Sequence, residues 1–169
     1  MSKTQLKKEL AGMDREQMIE FVTELYSACR AARPYLDFYC DPKPAELFEK
    51  YSVLLSKEIQ RGKYYHSMAR ISKVKAAIRD FASFGVEKEM VIDLILYAVR
   101  QIINVEQVRQ LKEPMRNGCA QLINDALALA DQNGIFSYAA ERVTALLDGS
   151  TGKRRFIDFL RKSIAEPAD

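Results

Sequence analysis

The sequence predicts an all-α fold: a single-domain array of seven to eight helices, built from αα-hairpins around a long central helix. Three observations predict it. Apolar residues recur at helical spacing through nearly the whole chain, and no alternating run competes as a strand. Glycines and prolines fall between those stripes, where helices stop and start. One segment, residues 87–107, is apolar around most of its circumference, as a helix enclosed by several neighbours must be.

Taken in order, Leu6 and Leu10 sit one turn apart, and Gly12 breaks the pattern. Asp14 followed by Gln17 reads as a capping box, and Met18, Val22, Leu25 and Cys29 then form an amphipathic stripe. Pro34 either kinks that helix or restarts it, because proline lacks the donor and clashes with the preceding turn. Asp41-Pro42-Lys43-Pro44 is a break, and Pro44 suits the first turn of a helix carrying Leu47, Phe48, Tyr51, Leu54, Leu55 and Ile59. Residues 61–70 lack an apolar stripe and read as a basic loop. Ile71, Val74, Ile78 and Phe81 restore the stripe until Gly85.

Residues 87–107 carry Met90, Val91, Ile92, Leu94, Ile95, Leu96, Ala98, Val99, Ile102, Ile103 and Val105. Asp93, Tyr97, Arg100, Gln101 and Asn104 share one narrow polar strip of the same segment. Pro114 opens a helix with Met115, Cys119, Leu122, Ala126 and Leu129, ended by Asn133-Gly134. Ala139, Val143, Leu146 and Leu147 mark the next, and residues 150–169 hold a short helix (Phe156, Ile157, Phe159, Leu160) and a tail. Gly12-Met13, Gly85-Val86 and Gly134-Ile135 share one form: a glycine free to turn left-handed, then an apolar residue folding back on the last turn. Such junctions make αα-hairpins. Their unequal spacing excludes a fixed-period repeat, and no linker is long enough to part residues 1–169 into two domains.

Composition narrows the classes. With 48% hydrophobic and 29% charged residues in 169, the chain can bury a core and is neither disordered nor fibrous. No apolar run approaches the roughly 20 residues of a membrane helix, and the opening MSKTQLKKEL lacks a signal peptide's apolar stretch. The expectation is a cytoplasmic protein with no membrane partner. Three Cys and one His, His66, argue against a disulfide scaffold and a multi-histidine metal site. With no catalytic, metal or cofactor constellation in the sequence, no cofactor is expected.

The net charge of +3 is unevenly laid out. Residues 61–79 hold six basic side chains and no acid, residues 80–152 hold six against ten acids, and residues 153–169 hold five against three. Arg61, Lys63, Tyr64, Tyr65, Arg70, Lys75 and Arg79 are therefore the candidate anion or nucleic-acid residues: cations neutralise phosphates and flat rings stack on bases. Against this, Lys75 and Arg79 lie on one flank of the apolar stripe and Lys73 on the other.

Asp93, Tyr97 and Arg100, in line at i, i+4 and i+7, are a candidate pocket. Gly149-Ser-Thr-Gly-Lys153 is a turn, since a phosphate loop needs a preceding strand and a glycine where Leu147 stands. Cys29 and Cys119 lie on apolar faces and read as core; Cys40 lies near a helix end, with His66 the only candidate base for it.

A set of short stretches resembles a family of small bacterial all-helical proteins classed as a domain of unknown function. They are Ser2-Lys-x-x-Leu6-Lys-Lys-x-Leu10, Tyr35-x-Asp37-Phe38 with Pro42, Lys57-Glu58, Phe81-x-x-x-Gly85-Val, Asp93-Leu-x-Leu96-Tyr97 and Asn133-Gly134-Ile. The resemblance runs from residue 2 to about residue 145. It implies an all-α single domain and brings no catalytic residues.

Three functional readings follow. The first is a non-enzymatic helical interaction or adaptor protein, whose partner is another protein or a second copy of itself. The alternative is association with single-stranded RNA through residues 61–79, joined by Lys153, Arg154 and Arg155 if the two basic segments share a face. The third is an enzyme with its pocket at Asp93, Tyr97 and Arg100.

Overall fold

The computed structural model describes residues 2–61 and 69–164, which form nine helices and no strand. The chain divides into two compact units, residues 1–43 and 44–169.

The first unit holds α1 (Lys3–Ala11), α2 (Arg15–Ala28) and α3 (Arg33–Cys40). Each start has a physical cause. Ser2 Oγ accepts the N–H of Gln5 at 3.2 Å, satisfying one orphan donor of α1. Asp14 and Gln17 form the expected capping box, with bonds of 2.8 and 3.1 Å. Pro34 restarts the helix rather than kinking it, and so sets the count at nine: it stands in the first turn of α3, where its missing donor is an orphan in any case. Arg33 closes the end of α2, donating from Nε to the carbonyl of Tyr26 (2.7 Å) and from Nη2 to that of Ser27 (2.8 Å). A cation at a helix C-terminus also opposes the negative end of the dipole.

The second unit holds α4 (Pro44–Gln60), α5 (Ile71–Ser83), α6 (Lys88–Val108), α7 (Glu113–Gln132), α8 (Phe136–Asp148) and α9 (Arg154–Lys162). Helix α6 packs against α4, α5, α7 and α8. That explains why its apolar residues surround it: Val91, Ile92, Leu94, Ile95, Leu96, Ala98, Val99, Ile102 and Ile103 are all buried. Each full burial of a Val, Leu or Ile contributes roughly 1.5–3 kcal/mol. Between α4 and α5 the rings of Tyr51 and Phe81 meet edge to face at 5.4 Å, flanked by Phe48 and Phe84.

Two of the three glycine junctions turn as expected. Gly85 and Gly134 have φ of 75° and 70°, and the N–H of Ile135 closes back on the carbonyl of Ala130 at 2.9 Å. Gly12 does not: its φ of −88° is right-handed, and the first unit turns there through tighter bonds from Gly12 and Met13 to Glu9 and Leu10. Gly118 answers a different demand. A Cβ there would stand 2.2 Å from Ile71 Cγ1, so glycine lets α5 and α7 approach closely.

Candidate functional site

The strip Asp93-Tyr97-Arg100 lies in a groove of about 340 Å³, together with Phe48, Leu96, Arg142, Ala145 and Leu146. Two of its three polar groups, Asp93 and Tyr97, are engaged with side chains of other helices. Asp93 accepts from the Tyr138 hydroxyl and from Arg142 Nε, each at 3.0 Å, and the Arg142 guanidinium stacks 3.8 Å from the Tyr138 ring centre. Tyr138 titrates above the usual phenol range, first because it is partly buried and then because it bonds Asp93. The Tyr97 hydroxyl meets Ser56 Oγ at 2.7 Å. Arg100 is exposed and has no ion-pair partner among the described residues. The strip joins α4, α6 and α8; its acid and phenol are occupied by that joining.

The basic candidates are dispersed. Arg61 pairs with Glu58 at 3.4 Å, and Lys75 pairs with Asp125 of α7 at 2.9 Å. Arg79 is exposed on α5. Lys73 lines a groove shared with Lys57 and Glu58 of α4 and with Arg61 just after it, so the charges of α5 split over two flanks, as their spacing required. Lys63, Tyr64, Tyr65 and His66 lie outside the described residues.

The two basic segments do not converge. Helix α7 meets α5 through Gly118 and Asp125, and meets the α9 segment through Arg116 and Asn124. At 3.6 residues per turn these two pairs stand about 150° apart on α7. Helix α5 and the segment 154–163 therefore flank α7 on different sides, and Arg161 is paired with Asp148 at 2.6 Å. Arg70 has other company: it lines a cavity of about 270 Å³ with Arg109 and Lys112.

The cysteines divide by setting. Cys119 is fully enclosed, and burial pushes its thiol well up, with Glu106 adding to the effect. Cys29 is half-buried at the end of α2 and Cys40 is exposed at the end of α3. The turn Gly149–Lys153 joins two helices, α8 and α9, so no strand precedes it.

Two groups of side chains, and the exposure of a third, escaped the sequence reading. Tyr138 and Arg142 stand more than forty positions from Asp93, beyond any local pattern. Glu106 left a signal: it continues the buried series Val99, Ile102, Ile103, where an apolar residue belongs. It is 3% exposed, accepts the N–H of Leu111 at 2.6 Å and lies 3.9 Å from Arg116 Nε. The third group is apolar and lies on the first unit. No described residue of 2–43 is buried, yet Leu6, Ile19, Phe21, Val22, Leu25, Tyr26, Tyr35 and Tyr39 each stand more than a third exposed.

Fold and site together define an all-α protein of packed amphipathic helices, with Asp93 and Tyr97 bonded across helices and large apolar side chains exposed on its first three helices. The chain belongs to a family of unknown function (DUF6155), whose model matches residues 1–158. That match takes in every stretch on which the resemblance rested and runs on into α9. No curated protein and no solved structure matches the chain.

Proposed function

We propose that this protein is a non-enzymatic interaction protein that associates with a second copy of itself through the apolar face of α1–α3. One observation carries the reading: the eight large exposed apolar side chains of the first unit, against three (Val53, Leu54, Val108) among the described residues of the much longer second unit.

On α2 the residues Met18, Phe21, Val22, Leu25 and Cys29 fall within about 100° of the circumference, while Glu16, Glu20 and Glu24 occupy the opposite side. One side of this helix is built for water and the other for cover. Over the three helices the eight side chains offer on the order of 700 Å² of exposed area, taking roughly 200 Å² for each when fully exposed; on α2, Ile19 and Tyr26 flank the stripe and lie outside its arc. A standard interface takes about 800 Å² from each partner. A second copy offers the same face, and a two-fold axis lets one stripe serve both sides.

Amide hydrogen exchange of the full chain at low and high protein concentration tests this. The amides of α2 are expected to slow with concentration while those of α6 do not change. The double variant Val22→Glu, Leu25→Glu is expected to lose the dependence and keep the protection of α6. Exchange in α2 that ignores concentration in the unaltered chain would remove the second copy as the occupant of this face.

A further inference from the structure

We infer that the cavity bounded by Arg70, Arg109 and Lys112 is a binding site for a small phosphate monoester, its phosphate on the three cations and its organic body on the apolar floor. The inference is independent of self-association. The cavity lies at one end of the second unit, where the first turns of α5 and α7 come together with the segment after α6.

Its cations come from separate places: Arg70 precedes α5, Arg109 follows α6, and Lys112 precedes α7. None of the three has an ion-pair partner among the described residues. Two buried carboxylates bond the backbone behind the lining, and each has its ion pair with a cation outside the cavity. Glu58 pairs with Arg61, although it also accepts the backbone N–H of Arg70 at 3.4 Å. Glu106 accepts the N–H of Leu111 and faces Arg116. Glu113, in the first turn of α7, does not line the cavity. Three cationic side chains without an ion-pair partner among the described residues therefore line one half-open cavity. Neither helix start carries a side-chain cap, so the positive ends of two helix dipoles add to that field. A carboxylate would answer one of these charges; a phosphate monoester, close to a dianion at neutral pH, answers more.

The remainder of the lining sets the rest of the ligand. Ile71, Leu111, Pro114 and Met115 form an apolar floor, and Ser72 and Gln110 are the uncharged polar groups beside it. A volume of about 270 Å³ is just under the roughly 300 Å³ at which small-molecule pockets usually begin, so the organic body must be compact. Arg109 and Lys112 are half-buried and exposed, so the charge can be removed from them without opening the core.

Calorimetric titration of the full chain with phenyl phosphate, inorganic phosphate and benzoate tests the site. Phenyl phosphate is expected to bind about tenfold or more tightly than either of the others, as lost apolar burial or lost charge-assisted bonds require. The variant Arg109→Gln, Lys112→Gln is expected to lose at least about tenfold in affinity. A control that removes as much charge from exposed positions elsewhere, Lys50→Gln, Lys88→Gln, is expected to bind as the unaltered chain does. Absence of binding overturns the inference. So does equal binding of phenyl phosphate and inorganic phosphate, which leaves the floor without a role. Equal loss in the control and the double variant would mean diffuse attraction to net charge, and overturns it too.

Discussion

Tyr51 joins packing and polarity in one side chain. Its ring meets Phe81 and Phe84, and its hydroxyl donates to Asp80, so a nearly buried phenol is left with no unsatisfied donor. Burial first, and the bond to Asp80 second, push its ionisation well above the usual phenol range. The folded chain therefore keeps this proton where the unfolded chain gives it up. The stability that Tyr51 contributes is fully present below about pH 10 and is lost as pH rises beyond it. Tyr51→Phe is expected to lower stability by about 1 kcal/mol at neutral pH. It is also expected to make the alkaline decline of stability shallower, because one linked proton is gone. Urea unfolding of both forms at neutral pH and above pH 10 measures this; parallel declines would mean that Tyr51 is not linked to unfolding. Cys119 contributes in the same direction in both forms, since its enclosed thiol is also held protonated.

Between α6 and α7 the turn depends on a buried acid. Glu106 takes the N–H of Leu111 and sets its charge near Arg116, whose guanidinium in turn stacks over Phe156 at 5.4 Å and Phe159 at 5.7 Å. One carboxylate thus links α6, its following turn, α7 and α9. Glu106→Ala is expected to cost roughly 3 kcal/mol, since it strands a buried N–H and leaves Arg116 without its counter-charge. Glu106→Gln keeps the acceptor and is expected to cost less. Chemical denaturation of the two variants checks the order, and a Gln variant as weak as the Ala variant would contradict it. At this scale the helices were legible: periodicity, proline and the capping box depend on residues within one or two turns of each other. Pro34 was legible as an interruption but not as a restart, because the choice depends on whether Arg33 can close α2. Gly12 resembled Gly85 and Gly134 in sequence and differs from them in hand, since a short right-handed turn also satisfies the donors there.

Across the whole molecule, what the sequence hid is whatever depends on distant partners. Asp93, Tyr97 and Arg100 were visible as a strip, but Tyr138, Arg142 and Ser56, which occupy the acid and the phenol, come from other helices. The basic run at 61–79 was visible as composition. Its pairing with Glu58 and Asp125, and the placing of α5 and α9 on different sides of α7, were not. The stripe of α2 was read correctly as amphipathic, yet periodicity alone says nothing of what covers it. Its exposure, which no local pattern announces, is what the proposed self-association rests on. The most direct test is the mass of the full chain in solution, measured by light scattering over a dilution series. The expected result is twice the 19.3 kDa of one chain at high concentration, falling toward one chain on dilution, with Val22→Glu, Leu25→Glu at one chain throughout. A single-chain mass at every concentration of the unaltered protein, or a dimer that survives both substitutions, would contradict association through α2.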